Sequence, residues 1–335
     1  MIRIGCVGLG HWGPNLARNV ASAEGAVLQA LCDAIPERLA QLGASFPAAT
    51  TTTDLNELLA DPHIDALILA TPAATHFALA KAALEAGKHV LVEKPLAKTA
   101  DECRTLIALA EERGLTLMVG HVFLYNAAVR RVKAMIDAGE LGELYYVYSQ
   151  RLNRGIVRQD VNALWNFAPH DLSILSYWLG APPTEVEARG FAYLQPGIED
   201  VVFLTMTFPG GVGASVHLSW LDPNKVRRMT IVGSKKMVLY DDMSPDAKVV
   251  VYDKGISRAE APAALGTYQD FGSYHLLARA GDVVIPKLEQ REPLRVEIED
   301  FVRCVRDGAR PLADGLSGLH VVEALEAAQR SLTER

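Results

Sequence analysis

Gly8-Leu9-Gly10-His11-Trp12-Gly13 decides the fold, because it follows an apolar run at residues 2–7 and precedes Pro14. Pro favours the first position of a helix, so the order predicted is strand, glycine turn and helix. In that context the first Gly permits the tight turn, the second lets backbone approach a pyrophosphate, and the third lets helix and strand pack closely. The helix N-terminus then faces the phosphates. The stretch therefore predicts a dinucleotide-binding unit.

A second apolar run, residues 27–32, ends at Asp33, twenty residues after Gly13. A dinucleotide-binding fold places there the acid that accepts hydrogen bonds from the adenosine ribose. A carboxylate at that position repels a ribose 2′-phosphate, so we expect NAD rather than NADP. Arg38 leaves NADP open, because a nearby Arg can stack on adenine or neutralise a phosphate.

The same alternation of strand and helix continues to about residue 120. An apolar strand over residues 64–70 precedes a helix over residues 76–86, and Thr99 with Glu102 forms a capping box for the next helix. Residues 117–120 form a further strand. Six such units in about 120 residues predict a doubly wound parallel sheet, the Rossmann type of α/β fold.

The stretch Val92-Glu93-Lys94-Pro95 ends another apolar run, residues 89–92. Such a run predicts a buried strand that places a carboxylate and an ammonium at the rim of the sheet. Ligands bind at that rim in open α/β sheets, and a desolvated Lys there can act as a base near neutral pH. Lys94 is therefore the first candidate for chemistry. The alternative is a solvated Glu/Lys pair in a turn.

The organisation changes after Asn126. A helix over residues 127–138 precedes apolar runs that predict strands at residues 144–152, 186–194, 201–208, 212–220, 228–232, 237–241 and 249–252. Short Gly/Pro/Asp turns between them favour a largely antiparallel sheet. One helix, residues 169–179, interrupts the strands, and two more close the chain at residues 296–307 and 316–332.

Two domains follow from this pattern. We predict an N-terminal NAD-binding Rossmann domain, residues 1–122, and a C-terminal α+β domain, residues 123–335, for substrate binding and oligomerisation. A chain of 335 residues also exceeds what one core supports. Residues 255–292 have no clear period and are interpreted as an irregular loop that could cross to a neighbouring subunit.

Composition excludes several partners. The net charge of −7 gives no reason to expect nucleic acid or an anionic membrane as a partner. No stretch approaches the ~18 consecutive apolar residues of a membrane span. The four cysteines lack any C-x-x-C spacing, so we expect reduced thiols, no metal site and a cytoplasmic location.

His170 is the second candidate for chemistry, in the segment Trp165-Asn166-Phe167-Ala168-Pro169-His170-Asp171. Pro169 predicts a helix start, which places His170 in the first turn. Mostly apolar neighbours indicate that this helix end is buried, where the surroundings set the pKa of the imidazole. A His satisfied by a backbone carbonyl is the alternative. Asp171 could orient His170 or favour the helix N-terminus as an acid.

The chain resembles the Gfo/Idh/MocA oxidoreductases over almost its whole length. The resemblance is carried by Gly8-x-Gly10-x-x-Gly13, Thr71-Pro72-x-x-x-His76, Glu93-Lys94-Pro95 and a helix His at position 170, in that order. In that family a cis bond precedes the Pro, the Lys and helix His lie at the substrate carbinol, and Glu93 and His76 would lie near the nicotinamide. Many members carry Asp at the positions of Asn166 and Ser173, so here any base role falls on Lys94 and His170.

A narrower resemblance concerns the substrate. The segments His121-Val122-Phe123-Leu124-Tyr125-Asn126, Gln150-Arg151-Leu152-Asn153, residues 162–173 and Ser219-Trp220-Leu221-Asp222-Pro223 are similar to members that oxidise the 3-hydroxyl of UDP-N-acetylglucosamine or its uronate. Basic residues that could meet a diphosphate are Arg151, Arg154, Arg158, Lys225, Arg227 and Arg228. Solvated or intersubunit charges are the alternative for them.

The resemblance and the motifs imply two sets of site residues. Those for NAD are Gly8, Gly10, His11, Trp12, Gly13, Asp33, Arg38, Thr71, Pro72, His76, Glu93, Lys94 and His121. Those for the substrate are Lys94, Tyr125, Arg151, Asn153, Asn166 and His170, of which Lys94 and His170 would be catalytic.

The expected reaction moves a hydride between a secondary hydroxyl of a sugar or UDP-sugar and NAD. An unperturbed Lys, with a pKa of ~10.4, cannot accept the alcohol proton at pH 7, so desolvation or a nearby cation must lower it. A dehydrogenase of a free polyol or inositol, a sugar 3-ketoreductase and a non-catalytic dinucleotide sensor are the alternatives. We expect the sheet of the second domain to pack against another subunit in a homodimer or homotetramer.

Overall fold

The computed structural model describes residues 1–155, 157–255 and 281–334. The chain forms two compact units, the first made of Met1–Asn126 with Arg291–Glu326 and the second of Ala127–Gln290 with Ala327–Arg335. The chain first passes from the first unit to the second after Asn126, four residues beyond the predicted boundary at residue 122. The return of residues 291–326 to the first unit differs from the prediction, which placed both closing helices in the second domain.

The first unit contains a six-stranded sheet in the order β3-β2-β1-β4-β5-β6, and all its neighbouring strands are parallel. Its strands are β1 (Ile2–Val7), β2 (Ala26–Cys32), β3 (Thr50–Thr52), β4 (Ala66–Leu69), β5 (His89–Glu93) and β6 (Leu117–Gly120). The predicted doubly wound parallel sheet is confirmed. The strand order reverses between β1 and β4, and ligands bind in the crevice at such a point.

Five helices alternate with these strands: α1 (Gly13–Ser22), α2 (Pro36–Gly43), α3 (Leu55–Ala60), α4 (His76–Glu85) and α5 (Ala100–Glu112). The capping residues follow the sequence. Asp54 accepts a hydrogen bond from the backbone of Asn56, and Thr99 and Glu102 form the predicted capping box of α5. These caps satisfy backbone N–H groups that a helix N-terminus leaves unpaired.

The second unit is built on an eight-stranded sheet in the order β14-β13-β12-β11-β7-β10-β9-β8. Its elements in chain order are α6 (Ala127–Asp137), β7 (Leu144–Arg154), α7 (Ala163–Leu179), β8 (Glu185–Phe191), β9 (Val201–Phe208), β10 (Val212–Ser219), β11 (Leu221–Gly233), β12 (Met237–Asp241), β13 (Val249–Tyr252) and β14 (Val283–Val284). Of its described strand pairs, β7 with β10 is parallel and the others are antiparallel. The largely antiparallel sheet is confirmed.

Helix α7 begins six residues earlier than predicted. Asn162 is its N-cap and accepts a hydrogen bond from the backbone of Trp165, while Pro169 lies inside the helix. The prediction that Pro169 starts the helix and that His170 lies in its first turn was therefore wrong. An interior Pro removes one helical hydrogen bond, which the buried packing of α7 tolerates here.

The closing helices are α8 (Pro293–Asp307) and α9 (Gly315–Thr333). Helix α8 packs against α1, β1 and the short turn Val122–Tyr125, and Leu319 and Val322 of α9 enter the core of the first unit. Apolar periodicity identifies the buried face of a helix but not the partner that covers it, which explains the difference in domain assignment.

Part of the predicted irregular loop at residues 255–292 lies outside the described residues. The four cysteines are buried and unbridged, as expected. Among the described helices, none is long and apolar enough to cross a membrane.

Candidate active site

The glycine turn after β1 has almost no space for side chains. Gly8 has a φ of +89°, and a Cβ there would lie 2.7 Å from the carbonyl carbon and oxygen of Ala70. A Cβ on Gly13 would lie 2.2 Å from the carbonyl oxygen of Gly8. Both glycines are therefore required by the protein's own packing, as the sequence predicted for the first and third positions.

Gly10 is different, because a Cβ there would meet only the Nη1 of Arg38, at 3.8 Å. The fold itself leaves this position open, and α1 begins at Gly13. An uncovered backbone next to a helix N-terminus is the cradle that a pyrophosphate requires. The glycine turn therefore fits a dinucleotide, with the free space on the side of Gly10.

Asp33 is buried at the end of β2 and holds the glycine turn. Its Oδ2 accepts a hydrogen bond from the backbone of Leu9 at 2.6 Å, and its Oδ1 accepts one from the backbone of Ile35 at 2.9 Å. The half-exposed guanidinium of Arg38 lies 3.3 Å from Oδ2. Asp33 and Arg38 therefore lie together beside the turn, where the sequence placed them.

Glu93 and Lys94 follow the last residues of β5, and the Lys94–Pro95 peptide bond is cis, as the resemblance implied. The carboxyl of Glu93 accepts a hydrogen bond from the backbone of Lys94 at 3.2 Å. A Cβ on Gly120 of β6 would lie 3.0 Å from the Glu93 Cδ, so Gly120 makes room for this carboxyl. Burial raises the pKa of Glu93 to about 7, although the charge of Lys94 and the Trp12 side chain oppose the shift.

His76, at the start of α4, joins two loops at the rim of the sheet. Its Nδ1 lies 2.7 Å from the carbonyl oxygen of Pro95, and its Nε2 lies 2.9 Å from that of Thr71. Burial lowers the pKa of His76 and the charge of Lys94 adds to the effect, while the contacts with the two carbonyl oxygens oppose it. His76 thus has a structural task, and its predicted place near the nicotinamide stays a prediction.

The loop after β4 has the residues that the motif predicts. The hydroxyl of Thr75 contacts the hydroxyl of Thr71 and the carbonyl oxygen of Pro72, both at 2.8 Å. Thr71 is half-buried and Pro72 is exposed, which leaves this loop accessible beside the crevice. His11 in the glycine turn is exposed as well.

His121 follows β6 and is fully buried. Neither ring nitrogen has a hydrogen-bond partner among the described residues. Burial lowers the pKa of His121 to about 3, and the charge of Lys94 contributes to the shift. Since the charge of Lys94 lowers the pKa of both His76 and His121, after burial, its ammonium lies near two imidazoles whose neutral form is favoured.

Glu297 on α8 is a buried acid that sequence reasoning missed. Its side chain is 0% exposed, and neither carboxyl oxygen has a hydrogen-bond partner in the described part of the chain. Burial and the charges of Glu93 and Asp300 raise the pKa of Glu297 well above its ordinary value. The shift favours the neutral form of the Glu297 carboxyl. The sequence feature that could have indicated this buried acid is a Glu at a core-facing position of an amphipathic helix.

In the second unit, Asn166 and His170 lie one turn apart on α7, and both side chains are partly exposed. The neighbouring positions Ala168, Pro169 and Asp171 are buried. The structure therefore places Asn166 and His170 on one face of the helix, as a shared role in substrate binding requires. Asn153, also predicted for the substrate, is partly exposed near the end of β7.

Two predicted substrate residues have other partners. Arg151 is 5% exposed and its Nε donates to Asp171 at 2.5 Å. Tyr125 is 2% exposed and its hydroxyl donates to Asp300 at 2.8 Å. The guanidinium of Arg151 therefore serves the interior of its unit, and the hydroxyl hydrogen of Tyr125 is not available to a sugar. Neither partner could be read from the sequence, since each lies far along the chain.

The remaining candidates for a diphosphate divide into two groups. Arg158, Arg227 and Arg228 form ion pairs with Asp160, Asp242 and Asp241 respectively. Arg154 and Lys225 are exposed, and neither forms a salt bridge within the described ranges. These two cations are the better candidates for an anionic ligand.

The open space at Gly10 makes a testable prediction about the dinucleotide. Gly10→Ala places a methyl group in the cradle without a steric clash, since its near neighbour is the Arg38 Nη1 at 3.8 Å, so we expect NAD to bind at least tenfold more weakly while the thermal unfolding midpoint stays close to wild type. Titration of NAD with calorimetric detection measures the first effect. Gly13→Ala is the matched control, since its contact with Gly8 should lower the unfolding midpoint itself. Wild-type NAD affinity in Gly10→Ala would show that the cradle lies elsewhere.

The raised pKa of Glu93 predicts a pH-dependent effect on stability. Between pH 4.5 and about 7 the Glu93 carboxyl ionises in the unfolded chain but stays protonated in the folded protein. The folded state therefore loses stability relative to the unfolded state as the pH rises through that range. Glu93→Gln should therefore leave stability little changed at pH 5 and raise it by up to about 3 kcal/mol at pH 8. Thermal unfolding at the two pH values measures the difference. The exposed Glu111→Gln should show no such divergence, and a pH-independent effect of Glu93→Gln would contradict the assignment.

Known proteins resemble both units. Residues 2–121 match the model of an oxidoreductase family with an NAD-binding Rossmann fold, and residues 129–239 match the GFO/IDH/MocA C-terminal domain. The chain is 29% identical to UDP-N-acetylglucosamine 3-dehydrogenase of Acidithiobacillus ferrooxidans over 96% of its own length and 95% of that protein's. It is 26% identical to scyllo-inositol 2-dehydrogenase (NAD(+)) of Bacillus subtilis, over 98% and 94% of the two chains.

Solved structures agree with these matches. The UDP-N-acetylglucosamine 3-dehydrogenase GnnA from Acidithiobacillus ferrooxidans superposes with a TM-score of 0.83 at 27% identity, covering 99% of this chain and 97% of that one. GenD2 from gentamicin A biosynthesis, solved in complex with NAD, superposes with a TM-score of 0.81 at 25% identity, covering 100% and 95%. With both of its units matched in order, the chain belongs to the Gfo/Idh/MocA family of NAD-binding oxidoreductases.

Proposed function

We propose that the protein oxidises a secondary hydroxyl of a nucleotide sugar, the C3 hydroxyl of a UDP-N-acetylhexosamine, with NAD as the acceptor. The observation that carries the proposal is the place of Lys94, at the carboxyl end of β5 in the sheet that also holds the glycine turn. The substrate class is supported by the similarity to UDP-N-acetylglucosamine 3-dehydrogenase over nearly the whole of both chains.

In this proposal Lys94 takes the hydroxyl proton and His170 is its partner at the substrate. NAD, when bound, accepts the hydride from the same carbon. Lys94 lies among titratable groups that its charge influences: after burial, that charge is a further cause of the lowered pKa of His76 and of His121, and it opposes the rise of the Glu93 pKa to about 7. Positioned proton transfer of this kind contributes roughly 100- to 10,000-fold.

The preference for NAD is proposed from Asp33, since its buried carboxylate would repel a 2′-phosphate. Arg38 is partly engaged by that carboxylate, which weakens its ability to neutralise a phosphate. For the substrate, Arg154 at the end of β7 and Lys225 on β11 are the cations proposed to meet the diphosphate.

A free polyol is the second candidate substrate, supported by the similarity to scyllo-inositol 2-dehydrogenase. An uncharged ring needs no cation, so Arg154 and Lys225 distinguish the two classes. The reverse reaction, reduction of a 3-keto sugar, uses the same residues and differs only in the direction measured. A dinucleotide sensor of this fold would show no turnover with any member of either class.

The test is a substrate panel followed in the reduced-nicotinamide absorbance band. We expect NAD to be reduced with UDP-N-acetylhexosamines or their uronates and not with inositols or free hexoses, and NADP to give slower initial rates at equal concentration. Arg154→Gln and Lys225→Gln should raise the KM for the UDP-sugar several-fold and leave kcat nearly unchanged. Reduction of NAD by inositol alone, with no effect of either variant, would replace the nucleotide sugar by the polyol.

Lys94→Ala is the control for chemistry in that panel. It should bind NAD nearly as wild type does while turnover falls by at least ~100-fold, because only the proton transfer is lost. Turnover within tenfold of wild type would remove Lys94 from the catalytic role.

We also propose that the protein is a homodimer or homotetramer that covers the outer face of the second unit's sheet. Tyr146 and Tyr148 of β7 and Phe203 of β9 are 47%, 39% and 42% exposed, and large apolar side chains exposed on one sheet are candidates for an interaction site. Sedimentation velocity should give a dimer or larger species, and Tyr148→Glu should shift it toward the monomer. A monomeric wild-type protein at micromolar concentration would refute the assignment.

A further inference from the structure

Asp171, the residue after His170, is held by two side chains of β7. Its Oδ2 accepts a hydrogen bond from the Nε of Arg151 at 2.5 Å, and its Oδ1 accepts one from the hydroxyl of Ser149 at 2.6 Å. The two β7 residues are separated by one position, so their side chains point to the same face of the sheet. Helix α7 is thus bound to that strand at two points through one carboxylate.

This contact is fully enclosed. Asp171 is 1% exposed, Ser149 2% and Arg151 5%. Tyr240 on β12 is buried as well; burial is the largest cause of its raised pKa, and the charges of Asp242, Arg151 and Asp171 also act on it. A carboxylate excluded from water and bonded at both oxygens keeps one orientation, because any rotation would break a hydrogen bond that no solvent can replace.

The contact at Asp171 lies directly after the turn of α7 that contains Pro169. Pro169 lacks an N–H group, so the turn that leads into His170 has one fewer helical hydrogen bond than its neighbours. The two-point contact at Asp171 follows this weakened turn directly. Successive residues of a helix point about 100° apart, so holding Asp171 toward β7 fixes the direction of His170, whose side chain is partly exposed.

Stability alone is a poor explanation for such a pair. Replacing a buried ion pair by apolar side chains of similar volume is often neutral or stabilising, because both charges lose their hydration when the protein folds. The directional demand of the pair, two oxygens matched to two donors, is what an apolar replacement would not reproduce.

We propose that Asp171, with Arg151 and Ser149, is a positioning device for His170: it sets the rotation of α7 after Pro169 and thereby aims the imidazole at the substrate. The inference rests on the proposed function in one respect, that His170 acts at the substrate. It also gives Arg151 a role different from binding a diphosphate.

The test compares single and paired substitutions. Asp171→Asn leaves Arg151 buried without its counter-charge, so we expect a lower unfolding midpoint together with a kcat at least tenfold below wild type. The paired variant Arg151→Met/Asp171→Leu removes both charges and should recover the unfolding midpoint, while kcat stays at least tenfold low and NAD affinity stays that of wild type. Lys236→Gln/Glu140→Gln, which removes a partly exposed ion pair of the same unit, should leave kcat unchanged.

A second measurement does not depend on turnover. The imidazole proton resonances of His170, assigned by their loss in His170→Asn, should form one sharp set in the wild type and shift or split in the paired variant. Recovery of both midpoint and kcat in the paired variant, with His170 resonances unchanged, would overturn the proposal. Absence of turnover in the wild-type panel would instead refute the proposed function, and the resonances would still decide whether Asp171 positions His170.

Discussion

The turn between β1 and α1 can hold no side chain at Gly8 or Gly13, and the rest of the first unit depends on that constraint. The Gly13 Cα lies so close to the Gly8 carbonyl oxygen that α1 must begin against the end of β1, and the backbone of Leu9 is then directed at Asp33. The acid expected to recognise a ribose is thus also the acid that holds the turn in shape. One carboxylate therefore bonds both the glycine turn, through Leu9, and the chain after β2, through Ile35.

Charge in the first unit is controlled by burial more than by pairing. Glu93, Glu297, His76 and His121 all lie where water is scarce, and in each case burial is the largest cause of the pKa shift. In each case the shift favours the uncharged form, and the charge of Lys94 acts on three of the four groups, Glu93, His76 and His121. Shifted pKa values cluster at functional sites, which is why these groups belong to the proposed active site.

The parts of this structure that could be predicted from the sequence are those set by local rules. The alternation of strand and helix, the capping box at Thr99 and the strand-end motif at Glu93-Lys94-Pro95 depend on residues close together in the chain. The start of α7 was mistaken because Pro169 looks like a first helical residue, whereas Asn162 is the true cap. Glu297 and the contact of Asp171 with Arg151 were not predicted, because their surroundings are assembled from segments distant in the chain. A sequence pattern shows which face of a helix is buried but not which element packs against that face.

The substrate class is the least local property of all. Relatives that are similar over nearly the whole of this chain are named for a nucleotide sugar and for an inositol, so overall similarity does not distinguish the two substrate classes. The two substrate classes differ in charge, because a diphosphate needs cations and a neutral ring does not. The residues that distinguish them must therefore be cations that no protein group neutralises. The number of basic residues in the sequence overestimates the cations available to a diphosphate. Four of the six candidates, Arg151, Arg158, Arg227 and Arg228, form ion pairs within the second unit. Arg154 and Lys225 remain, and they lie on the paired strands β7 and β11. Arg154 is the register partner of Leu221, and Lys225 precedes Val226, the partner of Leu152. The physical basis of the nucleotide-sugar proposal is therefore this pair of exposed cations on β7 and β11, and not the family motifs.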